Sequence, residues 1–138
     1  MSEAKVVETI AAPVAAVWAQ LSDFAGIQPG PGIESVEYEG EGVGMVRRIH
    51  LPAGVVVERL EELNADTRTF RYAIINDDSP LPFSDYSATV RMSEAQGVTT
   101  VDWTGTFEPR GVDEAKAVQI ASGIYKGAIQ GARKTLAG

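Results

Sequence analysis

One glutamate is the strongest candidate for chemistry in this sequence. Glu58 alternates with Val56 and Leu60, so a β-strand would place the three side chains on one face. Because its neighbours are apolar, that face is expected to point inward, where burial raises the pKa of a carboxyl group. Glu58 is therefore a candidate general acid or base. The alternatives are a carboxylate held by water or by an arginine such as Arg48, or a surface residue if the strand is offset by one position.

The only histidine is the second candidate. His50 ends a predicted strand and precedes Leu51-Pro52-Ala53-Gly54. It could titrate near neutral pH or hydrogen-bond a ligand, and the alternative is an ordinary surface side chain beside a loop. With one histidine, no cysteine and no carboxylate at helical spacing from His50, the sequence predicts no metal site. It also lacks a nucleophile elbow and a phosphate-binding glycine loop, so no cofactor is expected.

Aromatic side chains with polar ends form a third group. They fall on the apolar faces of three predicted strands and of the last helix, and they are Tyr72, Tyr86, Trp103 and Tyr125. Such side chains can stack on a ring-shaped ligand and hydrogen-bond it, and the alternative is ordinary core filling. Leu81 and Phe83 are apolar residues of an otherwise polar segment, so they are expected either to seal a cavity mouth or to cap the core.

The elements that would position these residues run in the order β-α-β×6-α. Alternating and helical periodicities predict strands at 5–11, 33–39, 45–51, 55–63, 69–75, 85–92 and 98–107, and helices at 14–21 and 112–136. A further short helical turn is possible near Phe24, before Gly26, Gly30 and Gly32. Strands flanked by helices predict an α+β fold with an antiparallel sheet, in one domain covering 1–138.

The last helix is slim. One face carries Val118, Ala121, Tyr125, Ala128, Ile129, Ala132 and Leu136. Three alanines on this face leave room beneath the helix, so the interior is expected to hold either plugging side chains or a cavity. Gly123, Gly127 and Gly131 lie on the opposite face, where each costs about 1 kcal/mol relative to alanine. We therefore expect that face to pack against another helix or a second subunit, as in a homodimer.

Composition limits the partners and the compartment. The net charge is −7, and the two pairs of adjacent basic residues do not form a patch, so nucleic-acid binding is not expected. No apolar run is long enough to cross a bilayer, and the N-terminus lacks the pattern of a signal peptide. Together with the absence of cysteine, these features predict a cytoplasmic protein without membrane insertion.

Several stretches, in this order, resemble the START-like helix-grip (SRPBCC) superfamily. Its members include polyketide cyclase/dehydrase-like proteins, the birch-pollen allergen class and the plant abscisic-acid receptors. The stretches are Ala12-Pro13-x4-Trp18-x2-Leu21-x-Asp23-Phe24, Gly42-x-Gly44-x2-Arg47-Arg48, Glu58-Arg59-Leu60-Glu61, Tyr86-x-Ala88-Thr89-Val90, Trp103-x-Gly105-Thr106-Phe107-x-Pro109 and the closing helix. The resemblance covers nearly the whole chain. It implies seven antiparallel strands wrapped around the last helix, with an apolar pocket between them.

Two loops are similar to the gate and latch of the abscisic-acid receptors. His50-Leu51-Pro52-Ala53-Gly54 matches the gate, Asp77 to Tyr86 occupies the place of the latch, and Glu58 matches a pocket glutamate. The chain departs from the receptors in two places. Pro80-Leu81-Pro82-Phe83 replaces their His-Arg-Leu run, and the region from Gly30 to Val36 has no lysine. The resemblance therefore does not imply abscisic-acid binding through a carboxylate held by a lysine.

The function expected from the sequence is binding of a small hydrophobic or aromatic molecule between sheet and helix, as a carrier or sensor. One alternative is a polyketide cyclase/dehydratase-type enzyme in which Glu58 moves a proton. The other is a ligand-gated protein that binds a partner through its two proline loops. The expected ligand contacts are Arg48, His50, Leu51, Pro52, Glu58, Tyr72, Leu81, Phe83, Tyr86, Ala88, Trp103, Ala121 and Tyr125.

Overall fold

The computed structural model describes residues 1–27 and 32–137, which form one seven-stranded antiparallel sheet and two α-helices. In chain order the elements are β1 (Ser2–Ile10), α1 (Val14–Leu21), β2 (Ser35–Glu39), β3 (Val46–Leu51), β4 (Gly54–Asn64), β5 (Thr69–Ile74), β6 (Phe83–Ala95), β7 (Val98–Pro109) and α2 (Glu114–Ala137). The predicted α+β helix-grip fold is confirmed. Gly30 lies outside the described residues.

Six consecutive strands of the sheet form a meander, and the first strand is added at the edge next to β7. The strand order is β1-β7-β6-β5-β4-β3-β2, so β2 to β7 follow one another and β1 returns to pair with β7. Register shifts interrupt β4 between Leu60 and Glu62 and β6 between Ser84 and Ser87. Such bulges bend a strand and increase its twist. The bent sheet forms a concave face, and α2 packs against it at β1 and β7.

The first helix begins and ends where the sequence predicts. Pro13 precedes it with a φ of −63°, and the backbone N–H of Val14 donates to the Glu94 carboxylate at 2.7 Å. At its end, the backbone N–H and the hydroxyl of Ser22 both donate to the Trp18 carbonyl oxygen. Between β1 and β2 the described residues contain this one α-helix, and Phe24 lies in the turn that follows it.

The closing helix buries the predicted face. Ala117, Ala121, Tyr125, Ile129 and Ala132 are buried, and Val118, Ala128 and Leu136 are partly buried against the same core. A Cβ built at Gly123 or Gly127 has no heavy atom of the described residues within 4 Å beyond its own helix. Within this part of the chain, no other element covers the glycine face. Packing of that face on a second subunit stays a prediction.

Aromatic side chains fill one half of the space between sheet and helix. Phe83 lies 4.6 Å from Phe107 and 5.2 Å from Tyr86 between ring centroids, and Tyr125 stacks on Trp103 at 5.2 Å. Phe83 is only 2% exposed, so of the two predicted roles it takes the core-capping one. It begins β6, which extends beyond its predicted limits because pairing with β7 continues from Phe83↔Pro109 to Ala95↔Val98.

Candidate functional site

An open cavity lies between the concave face of the sheet and the C-terminal half of α2. As bounded by the described residues, its volume is about 520 Å³. The helix contributes small and aliphatic residues to its wall, namely Ile124, Ala128, Gly131, Ala132 and Thr135. Because these side chains are short or lie at the rim, a gap remains between this half of the helix and the sheet. The packed aromatic side chains around Phe83, Phe107 and Tyr125, the aromatic cluster, do not fill this gap.

The sheet contributes the larger side chains of the cavity wall. They are Arg47 and Ile49 from β3, Glu58 from β4, Tyr72 from β5 and Trp103 from β7. The end of α1 and the segments that flank β2 complete the lining with Gln20, Leu21, Asp23, Gly26, Ile27 and Ile33. The lining is thus mainly apolar with a few polar groups, and the volume lies within the roughly 300–1,000 Å³ typical of small-molecule sites.

An ion pair sits in the cavity wall. Arg47 and Glu58 are directly opposite each other on β3 and β4, which places both side chains on the concave face. The Arg47 Nε and one terminal nitrogen each lie 2.6 Å from the Glu58 Oε1 atom. The two side chains are 11% and 10% exposed. Glu58 is therefore a charge-paired carboxylate and not an isolated one, as expected for a charge held out of bulk water.

Further contacts fix the guanidinium group. The other terminal nitrogen of Arg47 donates to the Phe24 carbonyl oxygen at 3.2 Å, and the guanidinium carbon lies 3.8 Å from the centre of the Phe24 ring. This stacked, hydrogen-bonded arrangement holds the planar group in one orientation. Within the described residues, both contacts from Arg47 reach Oε1 of Glu58, and no hydrogen bond reaches Oε2. Oε2 is therefore the oxygen of this ion pair that can accept a hydrogen bond from a molecule in the cavity.

A chain of hydrogen bonds leads from the cavity wall into the core. The indole N–H of Trp103 donates to the Tyr72 hydroxyl at 3.3 Å. The Tyr72 hydroxyl lies 3.3 Å from that of Tyr86, which in turn lies 2.6 Å from that of Tyr125. These contacts satisfy polar groups that would otherwise be costly to bury. The four aromatic residues thus form one connected polar network, which we call the tyrosine network.

Burial keeps the hydroxyls of the tyrosine network protonated. Desolvation raises the pKa of Tyr72 and of Tyr86 well above the ordinary value of a tyrosine, and it raises the pKa of Tyr125 to about 12. The nearby Glu58 carboxylate adds to the shift at Tyr72 and Tyr125. All three therefore act as neutral hydrogen-bond donors and acceptors at physiological pH.

These raised pKa values predict an alkaline unfolding transition. Above about pH 10 the unfolded chain loses its tyrosine protons while the folded protein keeps them, so stability falls as the pH rises above about 10, and the contribution of Tyr125 is lost by about pH 12. The fourth tyrosine of the sequence, Tyr38, lies in β2 and is exposed. Absorbance at the tyrosinate band should show Tyr38 ionising apart from the three tyrosines of the network, which ionise together with the loss of circular dichroism. Independent titration of all four tyrosines in a folded protein would contradict this expectation.

The structure brings together part of the predicted ligand-contact set. Glu58, Tyr72 and Trp103 line the cavity. Tyr86 and Tyr125 do not, but they connect to it through the tyrosine network. Three further buried members, Phe83, Ala88 and Ala121, lie in the packed core.

Arg48 and His50 lie on the other face of the sheet. Arg48 forms an exposed ion pair with Glu39 at 3.1 Å, and His50 bonds to Glu37 at 2.7 Å, both within the β2–β3 pair. The alternative in which an arginine holds Glu58 is the one observed, but the arginine is Arg47 and not Arg48. Side chains alternate across a strand, so Arg47 and Ile49 point to the cavity while Arg48 and His50 point away from it.

The two proline loops lie against each other and do not line the cavity. Gly54 ends the first of these loops and pairs with Leu51. A Cβ built on Gly54 would be 3.5 Å from the ring of Pro80 in the second loop. Leu81 is partly buried against the core beside the buried Phe83. Arg110 fixes this second loop by donating to the carbonyl oxygens of three of its residues, which are Asp77, Ser79 and Leu81. Together the loops cover one end of the aromatic cluster.

The same loop borders a smaller, polar cavity of about 120 Å³. Tyr86, Asp85, Asn76 and Arg110 are among its lining residues. This volume holds a few water molecules but not a ring-shaped ligand of the kind the sequence suggests. We therefore take the larger cavity as the candidate functional site.

The sequence interpretation missed most of the apolar lining and its arginine. The missed residues are Gln20, Leu21, Asp23, Gly26, Ile27, Ile33, Arg47, Ile49, Ile124, Ala128, Gly131, Ala132 and Thr135. The helical spacing of Ala128 and Ala132 places both on the inner face, so the sequence carries a signal for them. Gly131 is predicted on the opposite face, but the structure places it in the cavity wall. Arg47 follows from Glu58 once the β3–β4 register is known, since the two pair directly.

Neither a metal cluster nor a membrane-spanning helix occurs in the described part of the chain. Among residues 1–27 and 32–137, no three His, Asp or Glu side chains are grouped so that they could hold a metal ion. Across the same residues, no helix is both long and apolar enough to cross a membrane.

Comparisons with known proteins agree with the fold. Among solved structures, the protein XoxI from Bacillus cereus is 27% identical with a TM-score of 0.83, covering 98% of this chain and 95% of its own. An uncharacterised Bacillus thuringiensis protein is 26% identical with a TM-score of 0.84, covering 99% of this chain and 100% of its own.

A more distant neighbour and a family model complete the comparison. The protein Ara h 8.0201 is 20% identical with a TM-score of 0.79, covers 96% of this chain and 95% of its own, and supports the fold alone. No curated protein matches the sequence significantly. The model of the family described as "Polyketide cyclase / dehydrase and lipid transport" matches residues 1–137. The chain therefore belongs to this polyketide cyclase/dehydrase and lipid-transport family.

Proposed function

We propose that this protein binds a small hydrophobic or aromatic molecule in the cavity between the sheet and the C-terminal half of α2. The observation that carries the proposal is the open volume of about 520 Å³ beside a helix whose other half is fully packed. A folded core normally contains few voids larger than a water molecule. An open cavity of this size exposes apolar wall to water, and a bound apolar molecule would remove that surface from water.

The lining matches such a ligand. Ile49, Ile124 and Ala128 provide an apolar surface, while Tyr72 and Trp103 add aromatic rings that can stack on a planar molecule. A few fixed polar groups among apolar side chains are what orient a ligand within a hydrophobic site. The lipid-transport part of the family description supports this proposal as well.

An enzyme of the cyclase or dehydratase kind is the second candidate. It is favoured by the Glu58 carboxylate in the cavity wall, whose Oε2 atom has no hydrogen-bond partner among the described residues. A carboxylate held at a fixed position beside a bound substrate can take up or return a proton. Glu58→Gln separates the two candidates: a binder keeps its ligand affinity and shows no turnover in either form, whereas an enzyme loses turnover.

Filling the cavity from the helix should abolish binding. Ala128→Trp places an indole in the space between α2 and Trp103, so we expect uptake of the uncharged dye Nile red to fall at least about tenfold. The measurement is Nile red fluorescence on titration with protein, alongside a native mass spectrum of the purified wild type to detect a copurified molecule.

The matched control lies on the same helix. Lys126→Trp adds the same side chain at an exposed position outside the cavity, and it should leave dye binding unchanged. Equal loss in both variants would assign dye binding to the protein surface. A wild type that takes up no apolar dye and carries no copurified molecule would overturn the proposed function.

A further inference from the structure

The tyrosine network has one proton more than it can place internally. Its donors are the Trp103 indole N–H and three hydroxyls, and its internal links number three. The indole uses the link to Tyr72, and two hydroxyl protons occupy the links Tyr72–Tyr86 and Tyr86–Tyr125. One hydroxyl proton is left without an acceptor inside the network, and a buried donor of this kind requires a partner.

Only one hydroxyl of the network belongs to a residue that lines the large cavity. Tyr72 is in its wall, whereas Tyr125 lines neither cavity and Tyr86 borders only the small one. If Tyr125 donates to Tyr86 and Tyr86 donates to Tyr72, the spare proton lies on Tyr72. In that order the Tyr72 oxygen accepts from Trp103 and from Tyr86, and its own proton is available to an acceptor in the cavity.

The charges around the cavity restrict the kind of acceptor. Of the described lining residues, Arg47, Glu58 and Asp23 are charged, and Arg47 is already committed to Glu58. The wall therefore carries an excess of one negative charge, and its tyrosine, Tyr72, stays neutral. A ligand carboxylate would have to approach two protein carboxylates without a free cation to pair with, which is unfavourable in a partly desolvated site.

We propose that the ligand is uncharged and presents a carbonyl-type oxygen, which accepts a hydrogen bond from the Tyr72 hydroxyl and completes the tyrosine network. This inference rests on the proposed binding function and specifies its ligand class as aromatic or alicyclic ketones and related neutral carbonyl compounds. Free fatty acids and other carboxylates are excluded from that class. Tyr72 is then a specificity-determining residue of the cavity.

Three probes of nearly equal shape test the proposal. They are 2-acetylnaphthalene, which has a ketone, 2-isopropylnaphthalene, which has no acceptor, and 2-naphthoate, which carries a charge. Isothermal titration calorimetry on wild type and Tyr72→Phe should show a loss of about tenfold in affinity for the ketone and a change below about twofold for the hydrocarbon. The hydrocarbon is the matched control in both proteins, because its affinity reports any change in packing that does not involve the hydroxyl group.

A second test uses the wild-type protein alone, so it does not depend on whether a variant folds. The wild type should bind 2-acetylnaphthalene at least about tenfold more tightly than 2-naphthoate at neutral pH. Tighter binding of 2-naphthoate, or equal losses for ketone and hydrocarbon in a folded Tyr72→Phe variant, would overturn the ligand class while the binding function stands. Failure of all three probes to bind to a protein that takes up Nile red would also overturn the ligand class alone.

Discussion

Replacing Arg47 with methionine is expected to lower the free energy of unfolding by about 3 kcal/mol, which is among the largest effects for any single substitution in this protein. The reason is the Glu58 carboxylate, which is only 10% exposed and would lose its paired cation. Methionine keeps most of the side-chain volume, so the change tests charge more than packing. Equilibrium urea unfolding, followed by circular dichroism, measures the loss.

The neighbouring arginine is the matched control for this prediction. Arg48→Met removes an ion pair to Glu39 in which the two side chains are 41% and 69% exposed, and such surface pairs contribute about 0–1 kcal/mol. The double variant Arg47→Met/Glu58→Met removes both buried charges together and should recover most of the stability lost in the single variant. Equal effects of Arg47→Met and Arg48→Met would mean that the cavity ion pair contributes no more than a surface pair.

The pairing of Glu58 with Arg47 and not with Arg48 has a geometric cause. The predicted strands 45–51 and 55–63 leave three residues between them, and a symmetric hairpin with that loop would pair position 48 with position 58. The structure has a two-residue turn at Pro52-Ala53, with Leu51 paired to Gly54, so Arg47 pairs with Glu58. Gly54 makes this turn possible because its φ is +150°, a value that glycine adopts readily. A shift of one residue moves every side chain to the other face.

The periodicity of apolar residues was sufficient to predict which side chains point inward in elements that bury one face over a long stretch. The alternation Val56, Glu58, Leu60 correctly predicted that Glu58 points inward, and the apolar face of the last helix was predicted almost residue by residue. The proline loops were less predictable. Whether Phe83 is exposed or buried depends largely on Phe107, which is distant in sequence and meets it only after the sheet is formed.

The extent of the cavity also could not be predicted from the helix alone. Alanines occur along the whole inner face, yet only the half with Ala128 and Ala132 borders open space. Near Ala121 the space is occupied by the ring of Tyr125, which reaches across to the sheet. The residue that allows Tyr125 to fill this half of the interior belongs to another element, because it is Gly105 of β7.

Gly105→Ala is expected to lower the free energy of unfolding by about 3 kcal/mol and the melting temperature by roughly 10 °C. A Cβ at this position would overlap the hydroxyl oxygen of Tyr125 and lie 3.1 Å from its Cζ atom, with Tyr86 a further 0.4 Å away at 3.5 Å. Tyr125 is fully buried and bonded to Tyr86 at 2.6 Å, so it cannot move aside without breaking that contact. Calorimetry or thermal circular dichroism measures the shift.

A second substitution tests whether this clash is the cause. Tyr125→Phe removes the hydroxyl that the new methyl group would overlap, and alone it should cost about 1 kcal/mol through the lost hydrogen bond. In the double variant Gly105→Ala/Tyr125→Phe the two losses should not add, and the protein should be at least as stable as Gly105→Ala. Additive losses would place the cause elsewhere in β7.

A glycine-to-alanine substitution on the exposed face of the helix should have the opposite effect on the free energy of unfolding. A Cβ at Gly123 meets no described atom beyond its own helix within 4 Å, so Gly123→Ala should stabilise the protein by up to about 1 kcal/mol through helix propensity. The contrast measures how tightly the helix is held against the sheet at Tyr125. If Gly105→Ala were tolerated as well as Gly123→Ala, Tyr125 could leave its position at little cost. The packed half of the interior would then be able to open, and the cavity could extend along the helix to accept a longer ligand.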